Sequence, residues 1–376
     1  MRAHVVTSIE ELSEQEDRWE ALRQQCGGTV YSSNFMIRSW FEACSASASP
    51  RVILVEDDGD LVGIAPLCSY RYKVKGLPIR VITLAGDMSG KIRLTTNSVL
   101  YDYRRADVLE RILREIKRLN WSVLWTINME RSAAVDHYLE RVRSTWNVVD
   151  CDVNKGLEIP LAPTGDLCDT YDSNARRNFR KIVNRLEREG VEARLERVEA
   201  EGIDRAVDEY ARQHIERWES RGGSYFRDPD NVAFMKLSTK GGYDRQNGFV
   251  YQMRINGEVA AQVFGYIEGK RAYAKRLGMD DRFARYSPGW LICNRFLTLL
   301  RDQGAEGCDM GWGRERYKYE MGGRETQLVG IGATRGLASF AARIALGSDN
   351  RGLGSLPGTM NGSAGSDQCS AQSMSH

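Results

Sequence analysis

Two distant stretches of this chain share one plan, and that repetition constrains the fold more than any other feature. Residues 52–70 read VILVEDDGDLVGIAPLCSY, and residues 249–267, about 200 positions later, read FVYQMRINGEVAAQVFGYI. In each, an apolar run meets a two-residue break, Asp58-Gly59 or Asn256-Gly257, then an acid, then a second apolar run. Asp-Gly and Asn-Gly tolerate the positive φ angles of a type I′ turn, so each stretch is expected to form a tight antiparallel hairpin. A strand, a helix and a further strand follow each hairpin. In the first copy these are IRVITLAG (79–86), ADVLERILREIKRLN (106–120) and WSVLWTIN (121–128). In the second they are RAYAKRLGM (271–279), WLICNRFLTLLRDQG (290–304) and GCDMGW (307–312). The second helix is apolar nearly all round, as a helix buried against a sheet must be, and Gly304 suits its end. The expected fold is α/β (α+β): two lobes, each a mixed, mainly antiparallel sheet flanked by helices. The boundary falls near IPLAPTGD, giving lobes 1–160 and 161–340.

A chain of 376 residues suits two domains. Its 53 Lys and Arg against 51 Asp and Glu leave a net charge of +2, which argues against wholesale binding of nucleic acid or another polyanion. The eight cysteines are scattered without a C-x-x-C pair and there are four histidines, so no metal site is expected. Scattered thiols of this kind read as reduced, in a cytoplasmic protein. The start, MRAHVVTSIEELSEQEDRWEAL, has neither the apolar core of a secretory signal nor the basic character of a transit peptide. No stretch approaches the roughly 18 apolar residues of a membrane span. From Gly347 onward, 13 of 30 residues are Gly or Ser, a composition that cannot offset its ordering entropy, so 347–376 is expected to be a disordered tail.

Four segments could carry chemistry. Ser287-Pro288-Gly289, after Tyr286, opens the apolar helix of the second lobe. The tripeptide reads either as a plain helix start or as a cradle in which helix N–H groups meet a phosphate. DMGWGRERYKYEMG (309–322) places Asp309 in a strand, glycines either side of Trp312, then Arg314, Glu315, Arg316, Tyr317 and Lys318. Sites form where such strands end, though the same pattern also describes a solvated loop with an aromatic anchor. His214 and Trp218 lie at i and i+4 and so share a helix face, with Tyr210 one turn earlier. By spacing they read as a Tyr/His/Trp ledge at the edge of an amphipathic stripe made of Ile203, Val207, Tyr210 and Trp218. NARRNFRKIVNRLEREG (174–190) sets Arg177, Lys181, Arg185 and Arg188 on one helical stripe, with Ser173 as a candidate cap. That stripe is either a solvated face or a seat for an anionic acceptor or a tRNA stem.

The run from Arg271 to Met321 combines a Tyr-Ala-Lys-Arg strand, Tyr-Ser-Pro-Gly, an apolar helix and a Gly-x-x-x-x-Asp-x-Gly-x-Gly-x-x-x-Tyr-Lys ending. In that order it resembles the acyltransferase family named after the cellulose-biosynthesis protein CelD. That family is a branch of the GNAT superfamily related to the FemAB peptidyltransferases. The Arg-rich helix, QHIERWESRGG (213–223) and FMIRSWFEAC (35–44) also fit, so the likeness spans roughly 20–335. It implies two tandem GNAT-like lobes, the first degenerate because its junction LYDYRRADV lacks a phosphate-binding glycine. It further implies an acyl-CoA donor, acetyl-CoA or a longer one, held at Tyr286, Ser287, Pro288, Gly289 and Arg276. Asp309 or Glu315 would then act as base, Tyr317 would protonate the leaving sulfur, and Lys318 or Arg276 would orient the reactants. His214, Trp218, Arg177 and Trp312 would contact a carbohydrate or cell-envelope acceptor. The FemAB kinship keeps open an aminoacyl-tRNA donor, and a non-catalytic module in polysaccharide biosynthesis is a third reading.

Overall fold

A computed structural model describes residues 1–336 apart from 75–76, 89–90, 92, 150, 152 and 220–221. The chain forms two compact bodies, divided between Asn154 and Lys155, and the segment from Gln327 returns to the first. The line expected at 160/161 is thus drawn six residues earlier, because strand 156–160 joins the sheet of the second body. The expected tail at 347–376 lies outside the described residues.

The first body contains β1 (Arg2–Val6), α1 (Ile9–Glu14), α2 (Glu16–Gln25), α3 (Asn34–Ala43), β2 (Ser49–Pro50), β3 (Val52–Asp57), β4 (Asp60–Ala65), β5 (Leu67–Val74), β6 (Leu77–Leu84), β7 (Leu100–Tyr101), α4 (Ala106–Arg118), β8 (Val123–Glu130), α5 (Ala133–Thr145) and β9 (Asn147–Val149). The second contains β10 (Gly156–Pro160), α6 (Ser173–Arg188), β11 (Ala193–Arg197), α7 (Ile203–Trp218), α8 (Pro229–Asp244), β12 (Gly248–Ile255), β13 (Glu258–Glu268), β14 (Arg271–Met279), α9 (Pro288–Asp302), β15 (Gly307–Trp312), α10 (Arg316–Glu320) and β16 (Arg324–Thr326). Strand β17 (Leu328–Thr334) belongs to the first body.

Both hairpins form as their turn residues require. Asp58 and Gly59 have φ of 50° and 93°, and Asn256 and Gly257 have 49° and 85°. β3 pairs antiparallel with β4, and β12 with β13. The first body carries two ladders, β1-β3-β4-β7 and β2-β5-β6-β8-β17-β9; the second carries one, β11-β12-β13-β14-β15-β10-β16. Each body has one parallel contact, β6 with β8 and β14 with β15, spanned by a crossover that contains α4 in one case and α9 in the other. The architecture is therefore two tandem lobes of one mixed α/β plan.

Helix α9 begins two residues earlier than its apolar run, with Pro288 at the first turn. It ends as expected: Gly304, at φ 96°, donates to the Arg301 carbonyl, and Ala305 donates to that of Leu300. Its residues Leu291, Ile292, Phe296, Leu297 and Leu300 are buried with Ala272, Ala274, Cys308 and Met310 of the two parallel strands. α6 adds Phe179 and Leu186 to that same core. The α6 cap is Asp172, not Ser173: its Oδ1 accepts the Ala175 N–H at 2.8 Å. α7 and α8 pack on the opposite face, where Tyr210 meets Phe264 and Phe234 meets Lys275.

Candidate active site

The site is built around a fork. β14 and β15 pair only over Arg271↔Gly307, Ala272↔Cys308 and Tyr273↔Asp309. Beyond that, β14 follows β13 to Met279 while β15 follows β10 to Trp312. Among the described residues no strand pairs with the outer half of β14 on its fork side, and its backbone edge there can pair with an extended ligand.

A 3-10 helix, Asp281–Tyr286, leads from the end of β14 to helix α9. Ser287 sits in the left-handed region (φ 49°, ψ 56°), and its hydroxyl makes no capping bond. Its carbonyl accepts the N–H groups of Trp290 (3.0 Å) and Leu291 (3.2 Å). Pro288 has no N–H, so the Gly289 N–H is the turn's donor without a partner among the described residues. A Cβ on Gly289 would meet only the Met279 Sδ, at 3.3 Å, so the fold itself does not demand a glycine there. Trp290 packs into the core against Tyr171, and its indole Nε1 has no partner among the described residues. An unpaired backbone N–H at the positive end of a fifteen-residue helix suits an anion. Tyr286 does not face that opening freely: its hydroxyl donates to Glu189 at 3.1 Å, on the carboxylate that Arg285 also holds at 2.7 Å.

The end of β15 differs from expectation. Glu315 and Lys318 form an ion pair at 2.9 Å with side-chain exposures of 11% and 4%, and the Lys318 ammonium also donates to the Trp312 carbonyl at 2.6 Å. Gly313, at φ 105°, makes room for this, since a Cβ there would lie 2.4 Å from the Glu315 carboxylate. Both residues therefore hold the 312–318 turn together. Asp309 is buried and accepts the Gly311 N–H at 2.7 Å. Its neighbours Cys308 and Met310 enter the α9 core, so its own side chain takes the opposite face, level with Tyr273. Tyr317 is half-buried against the α9 core, and Trp312 is half-buried at the strand end.

The other face of the sheet holds a second group. The β13–β14 register shifts between Phe264↔Arg276 and Gly265↔Ala274, making Lys275 an extra residue, a bulge. As a result Lys275 and Arg276 point to the same side. Lys275 is buried against the Phe234 ring (4.1 Å) and donates to the Ser238 hydroxyl (3.1 Å); burial and then Arg276 hold its pKa well below the usual range. The Arg276 guanidinium lies over the Tyr225 ring at 5.5 Å, and that ring is 4.9 Å from His214. Arg276 was expected on the donor side with Tyr286–Gly289; the bulge turns it to the face opposite α9.

His214 is kept neutral. Burial first, then Arg276 and Arg217, push its pKa down to about 3. The Ser224 hydroxyl, 2% exposed, accepts the Phe226 N–H at 3.1 Å and shares a second hydrogen bond with His214 Nδ1 at 2.8 Å, which holds the imidazole in place. Trp218 is 5% exposed, which leaves no open ring face for a sugar. Arg177 is exposed on α6, on the α9 side of the sheet, and is not brought together with His214. Sequence reasoning gave no role to Lys275, Ser224 or Tyr225. One signal existed: Lys-Arg inside an apolar strand cannot both alternate and avoid the core, which points to a bulge.

Residues 173–319 match the family model of the acetyltransferase (GNAT) domain. That range holds β14, α9 and β15, so the second body is similar to a GNAT acetyltransferase domain, and the match supports a transferase activity. No curated protein matches the sequence. Among solved structures, FemX is 11% identical and aligns over 92% of this chain and 99% of its own, with a TM-score of 0.62. L-PGS from Bacillus licheniformis is 11% identical over 88% of this chain and 95% of its own, with a TM-score of 0.51. A tandem GNAT protein from the clavulanic acid biosynthesis pathway is 10% identical over 89% and 99%, with a TM-score of 0.50. At these identities the likeness is one of fold. Among the described residues, no helix is long and apolar enough to cross a membrane.

Proposed function

We propose that the chain transfers an acyl group from an acyl-CoA to an amine or hydroxyl of a carbohydrate or other cell-envelope precursor, in the cytoplasm, as its CelD-like sequence pattern suggests. The observation that carries this reading is the fork between β14 and β15, opening onto the unpaired N–H of Gly289 at the start of α9. A CoA-type donor has two needs there: donors for its phosphates and a partner for the amides of its extended arm. The α9 N-terminus meets the first, and the bare edge of β14 beyond Tyr273 meets the second. When bound, the donor supplies the thioester. The remaining work falls to the chain: Asp309 takes the proton of the acceptor, Tyr317 returns one to the departing sulfur, and the strand edges hold the reacting groups in line.

Calorimetric titration of acetyl-CoA into wild type and Gly289→Val tests this. Micromolar binding that the valine variant loses, with its melting temperature kept, supports the reading. No heat from acetyl-CoA or longer acyl-CoAs removes it. A second reading, an aminoacyl-tRNA donor, is favoured by Arg177, Arg180 and Lys181, which are exposed on α6 without an ion pair among the described residues. Salt-dependent tRNA binding lost on replacing those three with Gln would bring it forward.

A further inference from the structure

Arg276 is a cation left without a counter-ion. It is half-buried, its Nε is buried with no hydrogen-bond partner, and no carboxylate pairs with it among the described residues. Acids of the adjoining segments are committed elsewhere: Asp281 to Arg217, Glu219 to Arg227 at 2.7 Å, and Asp280 to Arg282 at 2.8 Å, while Asp309, on the same face at the fork, accepts the Gly311 N–H. The ring beside it, His214, is neutral and locked by Ser224, so it neither cancels nor repeats the charge. Tyr225 lies against the guanidinium plane and restricts it further. A partly desolvated guanidinium without a partner is costly in a free protein, and its planar fork matches a carboxylate or phosphate.

We propose that Arg276, flanked by Tyr225 and His214, is the binding point for a carboxylate or phosphate group carried by the acyl acceptor. Two placements assign it to the acceptor rather than the donor. The β14 bulge turns Arg276 to the α7/α8 face, whereas the unpaired Gly289 N–H of α9 lies over the other face. Arg276 also stands three residues past the last β14–β15 pair, at the fork itself. The acceptor is accordingly an anionic amine or alcohol, such as an acidic sugar, a sugar phosphate or an amino acid, and not a neutral glycan. The assignment to an acceptor rests on the acyl-transfer reading; the anion site does not.

The site is tested without any donor. The chain has four histidines, so the imidazole nitrogens of the intact protein can be followed individually by ¹⁵N NMR. Inorganic phosphate and succinate are titrated separately into wild type, Arg276→Gln, Arg276→Lys and Gly289→Val. Saturable shifts of the His214 signals with one of the two anions are expected in wild type and Gly289→Val. The expected affinity loss is at least about tenfold in Arg276→Gln, the scale of a hydrogen bond to a charged group, and smaller in Arg276→Lys. Absence of any His214 response, or an equal response in Arg276→Gln, overturns the anion site. Loss of acetyl-CoA binding in Arg276→Gln assigns the residue to the donor and overturns the acceptor role. Loss of acetyl-CoA binding in Gly289→Val alone leaves the proposal standing.

Discussion

Replacing Lys318 by Met separates a structural from a catalytic role for the turn after β15. Lys318 Nζ sits 2.9 Å from Glu315 and 2.6 Å from the Trp312 carbonyl, with 4% of its side chain exposed. Methionine keeps most of the volume but leaves a largely buried carboxylate without its cation. Breaking a buried pair in this way costs about 3–5 kcal/mol. For a body of this size that corresponds to a fall of about 6–20 °C in the melting of the second body. The double variant Lys318→Met with Glu315→Gln removes the stranded charge, so it should recover about 1–3 kcal/mol of that loss. Hydrogen exchange on peptides covering 307–326 localises the effect, and urea melts followed in parallel give its size. Stability within about 0.5 kcal/mol of wild type, together with lost activity, would refute the reasoning and return Lys318 to the reacting groups.

Three further outcomes follow from the same geometry. His214 has its folded pKa lowered from 6.5 to about 3, so the unfolded chain binds the extra proton; stability present above pH 6.5 is lost as pH falls toward 3. His214→Asn should flatten that acid limb by about 2–4 kcal/mol, read from urea midpoints across the range. Asn256→Ala should cost about 1 kcal/mol in chemical denaturation, because alanine tolerates the φ of 49° at that hairpin poorly. Tyr317→Phe should leave acetyl-CoA affinity unchanged while turnover falls about 100-fold; equal kcat would remove the phenol from the reaction.

The hairpins, the buried α9 and the two-lobe plan were legible because each rests on local chemistry: Asn-Gly and Asp-Gly turns, an apolar helix closed by Gly304, and hydrophobic runs of strand length. The return of 328–334 to the first body was not, since strand partners that far apart leave no local mark. Ser287-Pro288-Gly289 was legible as a helix start, and the structure adds that the Gly289 N–H stays unpaired. The surroundings of Glu315, Lys318 and Trp218 were not legible because sequence spacing cannot tell a titratable or aromatic group facing a ligand from one held in its own loop or core. Arg276 shows the same limit for strands: one bulge reverses the face of every residue after it.

Hydrogen–deuterium exchange of the whole chain, with and without acetyl-CoA, tests the central claim most directly. The account predicts slowed exchange at Gly289 and along 274–279 and 310–315, the start of α9 and the two arms of the fork, with no change at β6 and β8. Protection confined to the first body, or none at saturating acetyl-CoA, would contradict it.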